Sequence, residues 1–383
     1  MKKALLIVVI ILAVVIALPV INLIRWTFQS KKPLDIILVD KTVPNPNREK
    51  HKSFDWILTN ERFVKKEGGS YNYKKDYYGF IPKISLREKL WDRNDYRLTD
   101  VIGLAEKNDA IYFADTYGVY TNDWFLGLNK SRKSRKMYGG LNNTDFLLIK
   151  EMKDRNKLII MEYNSFDYPT AELESFRTQE KLGITFSGWT GKYFSTLDTT
   201  GIDFPIWMTA MFRKQYRKPW TYKKPGIVLL KDKYIIVLEE GNQLKNAMPH
   251  ILTDSVNCKK YGVTGSVAFD KWFDIIDPKQ NNVVSKFKIE TSAIGDTILF
   301  ENSLTSEFPA VIQEPVTNRI YYFSGDFANY DIPYWTSRFM GGFKLKAFLY
   351  SDKPDDARRF FWLYYKPLVN GIFTDYYNSI HKK

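Results

Sequence analysis

Leu34-Asp35-Ile36-Ile37-Leu38-Val39-Asp40 is an apolar, β-branched run that ends in an acid. Without polar alternation, such a run reads as a strand buried on both faces, the condition of a parallel sheet covered by helices. The same form returns in Ala110-Ile111-Tyr112-Phe113-Ala114-Asp115 and in Lys157-Leu158-Ile159-Ile160-Met161-Glu162, and more loosely in Ile184-Thr185-Phe186-Ser187-Gly188-Trp189. Helix signals fall between these runs. Residues 49–60 carry Phe54, Ile57 and Leu58, and Asn143-Thr144-Asp145 supplies caps for a helix to about Lys153. Pro169 suits the first turn of a further helix over 170–182, which Gly183 stops. Strand and helix alternate through the first half, which predicts an α/β fold with a parallel sheet flanked by helices.

The Tyr-rich stretch 68–82 reads as an irregular excursion, and the basic run 130–136 as a solvated loop or a contact with anionic lipid. The second half is β-rich. Residues 226–230 and 234–238 predict a hairpin, and 283–290, 297–300, 310–313 and 319–324 predict short strands. Residues 335–350 and 355–377 read as helices. In the second of these, Phe360 to Tyr365 and then Leu368, Val369, Ile372 and Phe373 are apolar on more than one side. That predicts docking on the protein's own sheet, with a membrane interface as the alternative.

Ahead of all this, the run 4–24 is almost wholly apolar and long enough to cross the roughly 30 Å hydrocarbon core. Lys2 and Lys3 precede it, and Arg25, Trp26, Lys31 and Lys32 follow, as headgroup-level residues do. A cleaved signal peptide has a shorter apolar core and a small-residue cleavage site, and no cysteine near the end of the run offers a lipid attachment. The division predicted is therefore a transmembrane anchor over 1–26, a stalk over 27–33, an α/β sheet domain over 34–203, a β-rich portion completing or elaborating the sheet over 204–333, and C-terminal helices over 334–383. The short N-terminal tail predicts a single-pass plasma-membrane protein with its body outside the cytoplasm. Lone Cys258 permits no intrachain disulfide.

A formal charge of +14 favours anionic partners, namely lipid headgroups or acidic envelope polymers. Nucleic acid is disfavoured, because the charge is spread along the chain and no recognition motif accompanies it. At 44% hydrophobic and 16% aromatic, the chain is too apolar for intrinsic disorder.

Ligands of open parallel sheets collect at the carboxyl ends of the strands. Those ends carry Asp40, then Asp115 and Tyr117, then Glu162 and Asn164, and the later Gly325-Asp326-Phe327 adds Asp326. With Trp189 and Tyr193 from an aromatic loop, these eight residues form the predicted ligand site: aromatic faces stack on sugar rings while carboxylates hold hydroxyls. The sequence has no nucleotide-binding glycine loop, no serine-hydrolase elbow and no zinc-protease motif. No cofactor, metal or catalytic residue is assigned. His51, His250 and His381 are isolated in sequence and read as structural or exposed.

The succession 34–40, 111–117, 157–164 and 184–193, with the late Tyr321-Tyr322-Phe323-Ser324-Gly325-Asp326-Phe327, resembles the flavodoxin-like domain of the class I glutamine amidotransferase superfamily over about 34–330. That family's chemistry needs a cysteine on a tight strand-to-helix turn. Here the turn after the 157–162 strand holds Tyr163-Asn164-Ser165, and Cys258 lies far off, so the resemblance implies a relative without amidotransferase activity. The functional expectation is a membrane-anchored binding or scaffolding module of a bacterial cell envelope, with an envelope glycan or anionic polymer as ligand. The alternative is a carbohydrate-active hydrolase using two of Asp115, Glu162 and Asp326.

Overall fold

Five strands lie side by side in a computed structural model that describes residues 17, 19–83, 90–126, 134–201, 204–340 and 349–381. They are β1 (Ile36–Asp40), β2 (Tyr78–Pro82), β3 (Ala110–Asp115), β4 (Leu158–Glu162) and β5 (Ile320–Phe323), all parallel, in the spatial order 2-1-3-4-5. The order reverses at β1, so the crevice between the ends of β1 and β3 is a topological switch point. Side chains alternate between two cores. Leu38, Tyr112, Ile160 and Phe323 meet α1 (Glu49–Asn60) and the C-terminal helix on one face. Ile37, Val39, Ile111, Phe113, Ile159 and Met161 meet α2 (Val101–Lys107), α3 (Asn143–Asp154) and α4 (Glu172–Leu182) on the other. The sheet is thus helix-covered on both faces, which is why its strands read as unbroken apolar runs.

Beyond β5 the sheet continues antiparallel through Glu307–Gln313, Asn282–Thr291, Leu244–Leu252 and Ser266–Ala268, and beyond β2 it ends on Trp91–Asn94, giving ten strands. A separate four-stranded antiparallel sheet contains the predicted hairpin, Gly226–Lys231 with Tyr234–Glu239, together with Thr185–Phe194 and Trp272–Asp277.

Several expectations are corrected here. The fourth run, Thr185–Phe194, does not join the parallel sheet; β5, 126 residues further along than its last residue by chain number, takes the place beside β4. Gly188, at φ 83°, lies where the pairing with Trp272–Asp277 shifts register, so this strand is bulged and half-exposed where a central parallel strand is not. Residues 297–300 are helical, within Ala293–Glu301, because Ser292 caps the segment by accepting from the Gly295 N–H. Four apolar residues are too few to tell strand from helix, and the cap decides it. The stretch 68–82 ends in β2, whose last residue, Pro82, lies beyond the pairing with β1 and faces Trp91 of the edge strand Trp91–Asn94. Tyr334–Arg338 is a 3-10 turn, not the start of an α-helix, and 341–348 lie outside the described residues, as do 130–133 of the basic run. Pro169 follows a cis peptide bond ahead of α4, whose N-cap is Ala171.

At the N-terminal end the settings of Trp26 and of the stalk differ. Most of the run 4–24 lies outside the described residues, and among the described residues no helix is long and apolar enough to cross a membrane. Trp26 is buried, its indole N–H donating to the Thr59 carbonyl at 3.1 Å and its ring covered by the Arg62 guanidinium at 4.4 Å. The predicted stalk is no free tether either, since Lys32–Pro33 pairs in parallel with Phe63–Val64.

The C-terminal helix (Lys366–His381) is entered through a π turn, Phe361–Tyr365, and docks on the sheet as expected. Pro367 sits inside this helix without breaking it. Its missing N–H frees the carbonyl of Leu363, which accepts instead from the Thr264 N–H at 3.0 Å.

Candidate functional site

In an α/β unit the helix that follows a strand begins at the strand's carboxyl end, so the first turn of α1 overlooks the switch point. Two consecutive residues of that turn, about 100° apart around the axis, reach different strand ends. The Nδ1 of His51 lies 2.5 Å from Oδ2 of Asp40 at the end of β1, and its Nε2 donates to the Tyr73 carbonyl at 2.7 Å. A carbonyl only accepts, so Nε2 is the donor in that contact. The Nζ of Lys50 lies 2.6 Å from Oδ2 of Asp326 and 3.1 Å from Oδ2 of Asp115. Burial opposes the charge on Lys50, but Asp326 and Asp115 outweigh it and hold the ammonium proton above its usual range.

The loop after β3 completes this edge. Oδ1 of Asp115 accepts from the Thr42 hydroxyl at 2.7 Å and the Tyr117 N–H at 2.8 Å, while the Thr42 hydroxyl oxygen accepts from the Gly118 N–H. Gly118 adopts φ 95°, and a Cβ there would sit 2.0 Å from the Tyr138 carbonyl oxygen, so only glycine lets the loop close. Burial raises the Asp115 carboxyl to about 6 against the opposing pull of Lys50. Beside it, buried Lys41 donates to Asp145 and to the Gly140 carbonyl, and Asp145 also forms the capping box of α3 with Asn142.

Glu162 and Asn164 follow β4. Glu162 is fully enclosed: it accepts from the Tyr112 hydroxyl and from the Ala328 N–H at 3.0 Å, and Tyr112 also meets the Tyr365 hydroxyl at 2.8 Å. Burial drives its carboxyl well above the usual range, and through Tyr112 it links β4 to the C-terminal helix. Asn164 adopts φ 68° in the turn; its N–H donates to Oδ2 of Asp274 at 3.0 Å and its carbonyl accepts from the Thr116 hydroxyl.

Asp274, from the antiparallel sheet, also accepts from Tyr322 at 2.5 Å, and burial raises it to about 8. Its Oδ1, Oδ1 of Asp326 and Oγ of Ser324 are buried without hydrogen-bond partners. Tyr163 stacks on Trp272 at 6.3 Å; burial, then the charges of Asp274, Asp115 and Asp326, push its phenol well above the usual range, which places it within their field. The Tyr117 and Tyr120 rings meet tilted at 4.7 Å, and Tyr120 meets exposed Tyr168, also tilted, at 6.4 Å.

Of the eight predicted residues, the fold gathers Asp40, Asp115, Tyr117, Glu162, Asn164 and Asp326 at one edge. Trp189 and Tyr193 lie on the antiparallel sheet, Trp189 buried under the Lys231 ammonium at 5.9 Å and Tyr193 packed against the main core. Sequence reading missed Lys50, His51, Asp274 and the aromatic partners Tyr120, Tyr168 and Trp272. Lys50 and His51 had a signal, their place in the first turn after a strand. His250 pairs with Asp355 at 3.3 Å, and His381 Nδ1 donates to the Tyr377 carbonyl at 2.8 Å within its own helix. Among the described residues no three His, Cys, Asp or Glu side chains group as metal ligands.

Replacing Lys50 by Met leaves two buried carboxylates facing each other. The expected loss is about 3 kcal/mol at pH 8, and less at pH 5, where the freed carboxyls take up protons. Equilibrium unfolding at the two pH values measures it, and an equal loss at both would show that charge does not carry the contact.

No protein-family model matches this sequence, and no curated protein matches it. Among solved structures, the crystal structure of a ThuA-like protein from Bacteroides uniformis ATCC 8492 aligns over 86% of this chain and 97% of its own, at 9% identity and a TM-score of 0.35. Likeness of that degree leaves the fold to be read from the strand order itself.

Proposed function

We propose that the chain is a membrane-tethered, extracytoplasmic α/β module of a bacterial cell envelope, which binds a glycan or anionic polymer at the carboxyl edge of its parallel strands. The observation that carries this reading is Lys50 set between Asp115 and Asp326 where the strand order reverses, with Tyr117, Tyr163 and Trp272 nearby. A partly exposed ammonium between acids, beside aromatic faces, suits a polyhydroxylated ligand with some negative charge. The order 2-1-3-4-5 is that of flavodoxin-like sheets, whose ligands sit at this same β1/β3 crevice. In the turn where an amidotransferase needs its cysteine, Asn164 stands at φ 68°, which supports binding without acyl transfer. The tether rests on the apolar run 4–24.

Full-length protein in detergent is expected to bind soluble peptidoglycan fragments or poly(glycerol phosphate) in calorimetric titration, with at least a tenfold loss for Asp115→Asn and for Tyr117→Ala. Equal binding by all three proteins removes the site assignment. The hydrolase reading draws on Asp115, raised to about 6 beside Asp326; it requires release of reducing ends with a pH limb near 6 that Asp115→Asn abolishes.

A further inference from the structure

The geometry points to a membrane-facing end of the domain opposite the candidate site: we propose that the face around the C-terminal end of α1 rests on an anionic lipid surface. This inference rests on the tether reading above. The N-terminal helix (described from residue 19 to 28) is bolted to the body rather than hinged. Trp26 donates to Thr59 in the last turn of α1, Arg62 donates to the Thr27 carbonyl, and the Met340 N–H donates to the Asn22 carbonyl at 3.3 Å. Wherever the apolar run ahead of that helix goes, this end of the domain follows.

The segment 326–340 runs along α1 from the site to this end. Asp326 meets Lys50, Asp331 meets Lys52, Tyr334 meets Asp55 and Thr59, and the Ser337 and Phe339 carbonyls accept from Asn60. One end of α1 therefore holds the site, and the other holds the N-terminal helix. Twelve residues at 1.5 Å each put about 18 Å between them.

Around the far end, large apolar side chains stand in solvent: Phe28 is 84% exposed and Trp335 70%, with Ile21, Ile24 and Met340 beside them in the chain. Exposed Arg25, Lys31 and Arg338 are interspersed. Tryptophan with flanking cations is the composition of a bilayer interface, and its continuity with the apolar run 4–24 commits the occupant to lipid. The candidate site then opens away from the bilayer, toward envelope polymers.

The test uses full-length chain in nanodiscs of phosphatidylcholine and phosphatidylglycerol carrying headgroup-level nitroxide lipid, in a Cys258→Ser background. A fluorophore is placed at Met340→Cys, or at Leu173→Cys in the first turn of α4, on the site side of the sheet. Quenching several-fold stronger at 340 than at 173 is expected. Equal quenching, or stronger quenching at 173, with protein that stays in the bilayer through an alkaline carbonate wash, overturns this orientation and leaves the tether standing. Protein released by the wash overturns the tether and the orientation with it.

Discussion

Removal of residues 355–383 is expected to leave a chain without a cooperative unfolding transition. Phe360, Phe361, Tyr364, Tyr365, Leu368, Val369, Ile372 and Phe373 are all buried to 1% exposure or less in the main core. Phe361 packs edge-on against Trp56, Phe373 against Phe54 and Phe63, and Tyr365 closes the hydroxyl chain to Tyr112 and Glu162. A single Phe361→Ala is expected to cost about 3 to 5 kcal/mol, against a total of about 5 to 15 kcal/mol for a folded domain. Loss of the whole helix uncovers one face of the parallel sheet and exceeds that total. Denaturant unfolding in detergent, near-UV circular dichroism and dye binding measure the effect. A truncated chain that still unfolds in one sharp transition but no longer binds liposomes would return the helix to the membrane interface.

The strands that build the site were legible because a parallel sheet covered on both faces imposes unbroken apolar runs, and β1, β3 and β4 have them. Their terminal acids were legible for the same reason: an acid ends such a run where the chain leaves the core. β2 was not, because a strand next to the edge, joined to β1 only at Val39–Tyr78 and Asp40–Gly79 and otherwise to the exposed strand Trp91–Asn94, needs no apolar run. Trp189 and Tyr193 were misassigned to the site because their strand has the residue types of a parallel strand but pairs antiparallel elsewhere. Asp274 was beyond reach of local pattern. It arrives from a different sheet, 110 residues from the Asn164 N–H it accepts, and only tertiary packing makes that contact. Lys50 and His51 stand between these cases, since helix position alone put them at the edge but not onto particular acids.

Asp274→Asn is expected to stabilise the protein at pH 8 and to change it little at pH 5. The carboxyl is enclosed, and burial raises it to about 8 from an unfolded value of about 3.9. The folded state therefore holds a proton that the unfolded chain releases. The stabilisation this gives is complete below about pH 4 and is lost as pH rises toward 8, at up to about 1.4 kcal/mol per pH unit. Asp55, Asp115 and Asp123, each raised to about 6 chiefly by burial, lose theirs earlier, so above pH 6 Asp274 contributes a slope that these three do not. An asparagine oxygen still accepts from the Asn164 N–H and the Tyr322 hydroxyl. The gain at pH 8 is expected to be about 2 kcal/mol, read from denaturant unfolding at pH 5, 6.5 and 8. Asp274→Leu supplies the contrast: it leaves the Asn164 N–H and the Tyr322 hydroxyl unpaired and destabilises at every pH. Wild type and Asp274→Asn running parallel from pH 5 to 8 would mean that Asp274 ionises as readily in the fold as outside it. Because the same carboxyl fixes the φ 68° turn at Asn164, the leucine variant should also loosen the β4 end of the site, while the asparagine variant keeps it.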